Sequence, residues 1–313
     1  MEANARWALV TAVAPIAWGT TYYVTREFLP AGHPLYGAAV RALPAGLLLL
    51  AVTRAVPRGS WWWKSLVLGT LNMSAFFALV YVAAQTLPTS LASMIMATSP
   101  VVMMLLAWLL LAERPGLAPM AGAAVGVAGV CLMLLSGATA AGAAGVAASV
   151  AAMVMSSLGA VLGKRWGAGA SVLAMTSWQL IAGGLVLLPF AVAVEGPPPA
   201  LTWPAVLGFA YVTVIATAVA FAAWFGGLRH LPAGTVGLVG LLNPVTGVLL
   251  GTLLAGESLT GRQAGGLVLA FLGIVLGQPA VGRLIERRPT TYGRRVVCER
   301  APADAEKPEE SPA

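Results

Sequence analysis

The chain repeats itself. Residues 87–134 align without gaps on residues 231–278 at a constant offset of 144, and 12 of these 48 positions are identical. Several identities are residues that bend, pack or charge a helix: Pro88/Pro232, Pro100/Pro244, Glu113/Glu257, Gly122/Gly266 and Gly129/Gly273. Chance matching of apolar residues explains leucines but not this set. The repeat therefore predicts a chain built from two copies of one unit.

An offset of 138 aligns the earlier parts, with Arg41 on Gln179 and Arg26 on Lys164. This alignment divides the chain into a first unit at 1–140 and a second at 141–281. Residues 282–313 are Arg-rich and then Pro/Glu-rich, without apolar periodicity, and are predicted to form a disordered cytoplasmic tail.

Composition places these units in a lipid bilayer. The 313 residues are 59% hydrophobic and 9% charged, with a mean hydropathy of +0.86, which leaves too little polar surface for a water-soluble domain. A hydrocarbon core of about 30 Å needs about 20 apolar residues per helix. Ten such runs are present: 7–25, 35–53, 65–84, 89–111, 117–135, 143–163, 171–193, 204–225, 235–254 and 264–281. The predicted fold is an all-α integral membrane protein with ten transmembrane helices.

Five helices per unit is an odd number, so the second unit enters the membrane from the opposite side and the two repeats are inverted. With cytoplasmic termini, fifteen of the 18 basic residues fall inside, Arg26 and Arg262 fall outside, and Arg41 lies within a helix. This distribution follows the positive-inside rule and predicts a multi-pass protein of the cell (inner or plasma) membrane. The net charge of +7 is then topological, so nucleic acid is not an expected partner.

Catalytic and cofactor motifs are scarce. Asp304 in the tail is the sole aspartate, the two histidines are expected on opposite membrane faces, and no H-E-x-x-H, C-x-x-C or G-x-S-x-G motif occurs. We therefore expect no enzyme, no metal and no cofactor. The expected partners are a small-molecule substrate and the bilayer. A homodimer is compatible with the sequence, which does not fix the oligomeric state.

Several short elements are typical of one family. They are Trp18-Gly19-Thr20 followed by Arg26, Val40-Arg41-Ala42, Leu87-Pro88 before Pro100 with Leu111-Ala112-Glu113, and, in the second unit, Leu231-Pro232, Pro244 and Gly256-Glu257. Over residues 7–281 the chain resembles the EamA-type permeases of the drug/metabolite transporter superfamily. This resemblance implies ten helices in two inverted five-helix repeats, a central cavity and export of small metabolites. It does not imply a particular substrate.

Arg41 is the strongest candidate for substrate binding, because an arginine inside the membrane must face protein or a water-filled cavity. Its repeat mate Gln179 is expected at the equivalent depth from the other side. A cation and a neutral amide related in this way favour recognition of one anionic or carboxylate group. An alternative stays open, in which Arg41 caps carbonyl groups of a broken neighbouring helix.

A polar and aromatic stripe on the first helix contains Trp18 and Tyr22, and a similar stripe on the third contains Tyr81. We expect these residues to line the cavity and stack on an amphipathic ligand. Ser99 and Asn243 precede the prolines of the fourth and ninth helices and are expected to meet either substrate or the carbonyl groups that a proline frees.

Pro100 and Pro244 are predicted to kink their helices near the midplane and to act in gating, although shape alone is an alternative. Four charges at helix ends predict two gates. Arg26–Glu257 is expected to close the outer side and Lys164–Glu113 the inner side, exchanging as the cavity alternates; a purely topological role is the alternative.

The sequence thus predicts transmembrane transport, with efflux favoured, of small amphipathic metabolites such as amino acids or related carboxylates. The alternatives are a multidrug or hydrophobic-compound exporter, and a membrane scaffold or lipid-handling protein without transport. No carboxylate lies mid-helix, and the sequence leaves proton coupling, facilitated transport and the direction of transport open.

Overall fold

The structure, a computed structural model, describes residues 2–30, 32–86, 95–134, 142–254 and 260–278. All regular elements in these ranges are helical. The α-helices are α1 (Glu2–Phe28), α2 (Pro34–Thr53), α3 (Trp61–Gly69), α4 (Ala75–Thr86), α5 (Ser99–Leu111), α6 (Leu117–Leu134), α7 (Ala143–Trp166), α8 (Val172–Glu195), α9 (Trp203–Thr213), α10 (Ala220–His230), α11 (Ala233–Val239), α12 (Leu242–Leu254) and α13 (Gly261–Leu276). Each of the ten predicted apolar runs overlaps at least one of these helices.

The helices have the length and surface of membrane-spanning segments. In the described ranges, five helices are long and apolar enough to cross a membrane: Pro34–Thr53, Trp61–Val80, Ala143–Trp166, Val172–Glu195 and Trp203–His230. Three shorter apolar helices accompany them. Large apolar side chains face outward, and Leu109 and Leu253 are 75% and 76% exposed. Helices with such an exterior suit lipid, so the prediction of an all-α integral membrane protein is confirmed.

Two π-helical segments were not predicted. Thr70–Ser74 joins α3 to α4, and Val214–Val219 joins α9 to α10. Their first residues are 144 positions apart, which is the offset of the sequence repeat. A hydroxyl in each segment donates to the carbonyl five residues earlier, Ser74 to Gly69 at 3.4 Å and Thr217 to Val212 at 2.7 Å. Such wide turns are frequent at functional sites.

The prolines expected near the middle of helices lie instead at helix starts. Pro100 is the second residue of α5, after a turn at Thr98. Pro244 is the third residue of α12, and a break at residues 240–241 separates α12 from α11. Proline lacks the N–H that a helix interior requires but fits the first turn, where that group has no helical partner. Each proline therefore begins a new helical segment rather than kinking a continuous one.

The contacts between the two halves follow the sequence repeat. Helix α2 packs along α8, and α6 packs along α13. The first residues of these pairs are 138 and 144 positions apart, as in the sequence repeat. Helix α1 packs against α10 and α12, and α7 packs in the same way against α4 and α5. Elements at equivalent places in the two halves thus have equivalent neighbours.

Helices α6 and α13 meet through glycines. A Cβ built on Gly122 would lie 2.6 Å from the carbonyl oxygen of Gly273, closer than real Cβ atoms approach. Small residues of this kind let two helix backbones come together in a membrane, where close packing replaces the hydrophobic effect.

Candidate functional site

A cavity of about 370 Å³ lies between the two halves. Its walls come from α1, α2, the first π segment with α4, α5, α7, α10 and the start of α12. Apolar and aromatic side chains form most of the surface, and hydroxyl and amide side chains form part of the rest. Among the described residues that line it, Arg41 is the charged one. The cavity therefore offers one cation in an apolar, aromatic surround, as small-molecule sites commonly do.

Arg41 lines this cavity and is held by the second π segment. Its Nε donates to Thr217 Oγ1 at 2.9 Å, and its Nη2 donates to the carbonyl of Ala216 at 3.1 Å. The guanidinium carbon lies 5.3 Å from the centre of the Phe77 ring, at cation–π distance. A guanidinium has five N–H donors, so three of them have no protein partner among the described residues. Arg41 thus binds a carbonyl of the second π segment, as the alternative role predicted, and its role in substrate binding remains a prediction.

Trp18 also lines the cavity and meets the same carbonyl. Its Nε1 donates to Ala216 O at 3.1 Å. The Trp18 ring lies 5.1 Å from that of Phe221 and 5.3 Å from that of Trp224, both tilted. These three rings, all cavity-lining, form an aromatic wall beside Arg41, and the indole hydrogen bond fixes its orientation.

Gln179 does not line the cavity, in contrast to the expectation from its repeat mate Arg41. It is fully buried, and its Oε1 accepts a hydrogen bond from Asn72 Nδ2 at 2.9 Å. Asn72 belongs to the first π segment and does line the cavity. A glutamine side chain is shorter than that of arginine, and Asn72 stands between it and the cavity. The two contacts are nevertheless equivalent, because Asn72 and Ala216 are 144 positions apart.

Ser99 and Asn243 both line the cavity, each next to a proline at the start of α5 or α12. The backbone N–H of Asn243 donates to Gly240 O at 3.0 Å across the break between α11 and α12. Its side-chain Oδ1 is buried and has no hydrogen-bond partner in the described part of the chain. This amide is therefore available to a ligand.

Glu113 and Lys164 form an ion pair, with Lys164 Nζ 2.5 Å from Glu113 Oε1. Both also bind the chain that leads into α11. Glu113 Oε2 accepts from the backbone N–H of Ala233 at 3.0 Å, and Lys164 Nζ donates to Leu231 O at 2.6 Å. The pair thus ties the end of α5 and the end of α7 to the start of α11. Its role in gating remains a prediction.

Some predicted site residues or their side chains lie outside the part of the chain that the structure describes. Glu257 falls outside the described residues, as do the side chains of Arg26, Tyr22 and Tyr81. The outer pair Arg26–Glu257 and the stacking roles of the two tyrosines therefore stay predictions.

Sequence reasoning missed part of the cavity wall, including Asn72, Ser157, Phe221 and Trp224. A signal was present, because the offset of 144 extends back through the third and eighth helices and matches Phe77 to Phe221. Within the described ranges, no group of three or more His, Cys, Asp and Glu side chains is placed to hold a metal ion.

Comparison with known proteins identifies the family. The model of the EamA-like transporter family matches the chain twice, at residues 5–135 and 143–277. Protein PecM of Dickeya dadantii (strain 3937) is 37% identical over 267 residues, which cover 85% of this chain and 90% of that protein. The uncharacterized inner membrane transporter YedA of Escherichia coli (strain K12) is 27% identical over 84% of this chain and 88% of its own length.

Two further matches also cover most of the chain. A probable terminal-alkyne amino-acid exporter of Streptantibioticus cattleyicolor is 25% identical over 93% of this chain and 99% of its own length. A solved structure titled "Crystal structure of protein" superimposes with a TM-score of 0.78 at 20% identity, covering 90% of this chain and 99% of that one. This likeness supports the fold. The chain is a multi-pass membrane protein that belongs to the EamA-like transporter family.

Proposed function

We propose that this protein exports small amphipathic metabolites, amino acids or related carboxylates, through the central cavity by alternating access. The observation that carries the proposal is Arg41, which presents unpaired N–H donors to a cavity whose described lining contains no acidic group. A carboxylate would meet these donors in charge-assisted hydrogen bonds, which are roughly twice as strong as neutral ones. A ligand with several negative charges is disfavoured, because Arg41 is the one cation among the described lining residues.

The aromatic wall indicates what the uncharged part of the ligand is. Rings of Trp18, Phe221 and Trp224 offer apolar faces next to Arg41. The cavity of about 370 Å³ lies at the small end of the range for ligand pockets, about 300–1,000 Å³. A monoanion of amino-acid size with an apolar or aromatic body fits this combination. The relative named as a probable amino-acid exporter supports the same class.

The architecture we propose is ten transmembrane helices in two inverted five-helix repeats. The double family match, the helix offsets of 138 and 144 that follow the sequence repeat, and the matched contacts of the two halves support it. The distribution of basic residues supports a cell-membrane location with both termini in the cytoplasm. In this topology Glu113 and Lys164 lie on the inner side.

The gating model follows from these placements. The Glu113–Lys164 pair closes the inner side by holding the start of α11. The equivalent pair Arg26–Glu257 closes the outer side when the inner pair opens. Breaks next to Pro100 and Pro244 let the two segments of each helix move separately.

One other class of substrate has a specific observation in its favour. The cavity lining is mainly apolar and aromatic, which also suits hydrophobic drugs. Arg41 disfavours cationic drugs, which are repelled by a like charge in a low-dielectric site. A membrane enzyme is disfavoured because the family consists of transporters.

A transport panel tests the proposal. Purified protein in proteoliposomes is loaded with labelled phenylalanine, 3-phenylpropanoate, 3-phenylpropanamide or a cationic dye, and efflux is measured with and without a pH gradient against protein-free vesicles. We expect saturable efflux of the two carboxylates and none of the amide or the dye. Efflux of the amide and dye without the carboxylates would contradict the proposal and favour the multidrug alternative. No efflux of any compound would favour a scaffold or lipid-handling role.

A further inference from the structure

The cavity has a second polar wall, separate from Arg41. Asn72, in the first π segment, and Ser157, on α7, both line the cavity and are 5% and 2% exposed. The Oγ of Ser157 has no hydrogen-bond partner in the part of the chain that the structure describes. A buried polar group without a partner costs about 1–3 kcal/mol, so groups of this kind are rare unless a ligand completes them.

Gln179 fixes the direction of the Asn72 amide. Gln179 Oε1 accepts from one of the two N–H groups of Asn72 Nδ2 at 2.9 Å, so the second N–H and the Oδ1 of Asn72 are left for a ligand. Asn72 Oδ1 lies against Gly159 of α7, where a Cβ would collide with it. The absence of a side chain at Gly159 therefore makes room for this amide. The wall offers one N–H donor and one acceptor from the Asn72 amide, and a hydroxyl, Ser157, that can donate or accept.

This chemistry selects a neutral group. A substrate hydroxyl can donate to Asn72 Oδ1 and accept from the Ser157 hydroxyl, whereas a carboxylate can only accept and would leave Asn72 Oδ1 without a donor. Asn72 precedes Phe77, which lies under Arg41, by five residues on the same helical run. At about 1.5 Å per residue, this separation is about 7 Å along the helix axis.

We propose that Asn72 and Ser157 form a subsite for a neutral hydroxyl or carboxamide group of the substrate, with Gln179 as the positioning residue. The inference rests on the proposed function and deepens it. The substrate carries its carboxylate at Arg41 and a hydroxyl or carboxamide at the far end of an apolar or aromatic body. Arg41 and Gln179 occupy equivalent positions in the two repeats. Because one is a cation and the other a neutral amide, the two ends of the substrate site differ in charge.

A matched pair of ligands tests the subsite. Binding of 3-(4-hydroxyphenyl)propanoate and 3-phenylpropanoate to purified protein in nanodiscs is measured by isothermal titration. We expect the wild type to bind the hydroxylated acid at least about tenfold more tightly, because a site built to hydrogen-bond a hydroxyl discriminates against the analogue that lacks it. Ser157→Ala should bring this ratio to about one and leave 3-phenylpropanoate unaffected.

Two variants serve as controls. Ser65 is also buried, and its Oγ likewise has no hydrogen-bond partner among the described residues, but it does not line the cavity, so Ser65→Ala should keep the ratio. Arg41→Gln should weaken both acids equally. The apo melting temperatures of both serine variants should equal or exceed that of the wild type, since each variant loses a buried hydroxyl that has no partner among the described residues.

The outcomes separate the subsite from the proposed function. Two results would overturn the subsite while the proposed function stands, provided that binding of both acids depends on Arg41. In one, the wild type binds the two acids with equal affinity. In the other, the wild type prefers the hydroxylated acid but Ser157→Ala keeps that preference. If neither acid binds, or if Arg41→Gln binds both acids as tightly as the wild type, the proposed function is overturned and the subsite with it.

Discussion

Trp18 and Arg41 donate hydrogen bonds to the same backbone oxygen, the carbonyl of Ala216, each at 3.1 Å. The two residues come from α1 and α2 of the first half, and the carbonyl belongs to the π segment of the second half. Segments of this kind are frequent at functional sites. The cation and the aromatic wall of the cavity are thus anchored at one point between the halves.

Trp18→Phe keeps an aromatic ring but removes the indole N–H. Arg41 still binds the Ala216 carbonyl, so no buried acceptor is left without a donor. We expect the free energy of unfolding to fall by about 1 kcal/mol, the usual net contribution of one hydrogen bond. Unfolding in mixed detergent micelles measures it. Trp62→Phe is the control because Trp62 is 66% exposed; an equal loss in both variants would count against an anchoring role for Trp18.

Glu113→Gln removes the negative charge that pairs with Lys164 but keeps an oxygen that can cap the start of α11. The glutamine oxygen can still accept from Ala233 N–H, but the ion pair with Lys164 is lost. The partly buried pair contributes about 1 kcal/mol, so opening of the inner side should rise about fivefold. The measurement is labelling of a cysteine at position 99, in a chain whose own cysteines are replaced, by an impermeant thiol reagent added to the cytoplasmic face.

A matched carboxylate controls this experiment. Glu195 caps the backbone N–H groups of Leu35 and Tyr36 at 2.6 and 2.9 Å, so Glu195→Gln changes a capping carboxylate elsewhere. Its labelling rate should equal that of the wild type. An unchanged rate in Glu113→Gln would remove the ion pair from the gating model.

Gly122→Ala tests the contact between α6 and α13. The added Cβ would meet Gly273 O and Gly277 N, each at 2.6 Å, and backbone atoms cannot move aside as a flexible side chain can. We expect a loss of stability of about 1–3 kcal/mol from overpacking. Gly247→Ala is the control, because a Cβ there meets nothing within 4 Å. It should be neutral or stabilising, since alanine favours helices over glycine; a similar loss in both would contradict the packing account.

The sequence predicted the helices because apolar runs of membrane length leave few alternatives. It also predicted which charges meet, since Glu113 and Lys164 end their helices on the same predicted side, and the structure brings them within 2.5 Å. It misplaced Pro100 and Pro244, which were expected to kink continuous helices near the middle and instead lie in the first turn of new helical segments.

The π segments escaped prediction because a wide turn depends on tertiary partners. Donors from Arg41 and Trp18 occupy the carbonyl of Ala216, and these residues are about 175 and 198 positions away in the chain. The position of Gln179 was mistaken for a similar reason. Its depth followed from the repeat, but the Asn72 side chain that separates it from the cavity did not.

The most direct test is efflux of 3-phenylpropanoate from proteoliposomes by the wild type, Arg41→Gln and Arg229→Gln. Arg229 is an exposed arginine whose Nη1 donates to Ala170 O at 2.9 Å, so it matches Arg41 in chemistry but lies outside the cavity lining. Loss of a charged hydrogen bond of about 1.5–3 kcal/mol predicts a 10- to 100-fold fall in efflux for Arg41→Gln and none for Arg229→Gln. Wild-type efflux by Arg41→Gln, with the protein intact in the membrane, would contradict the account.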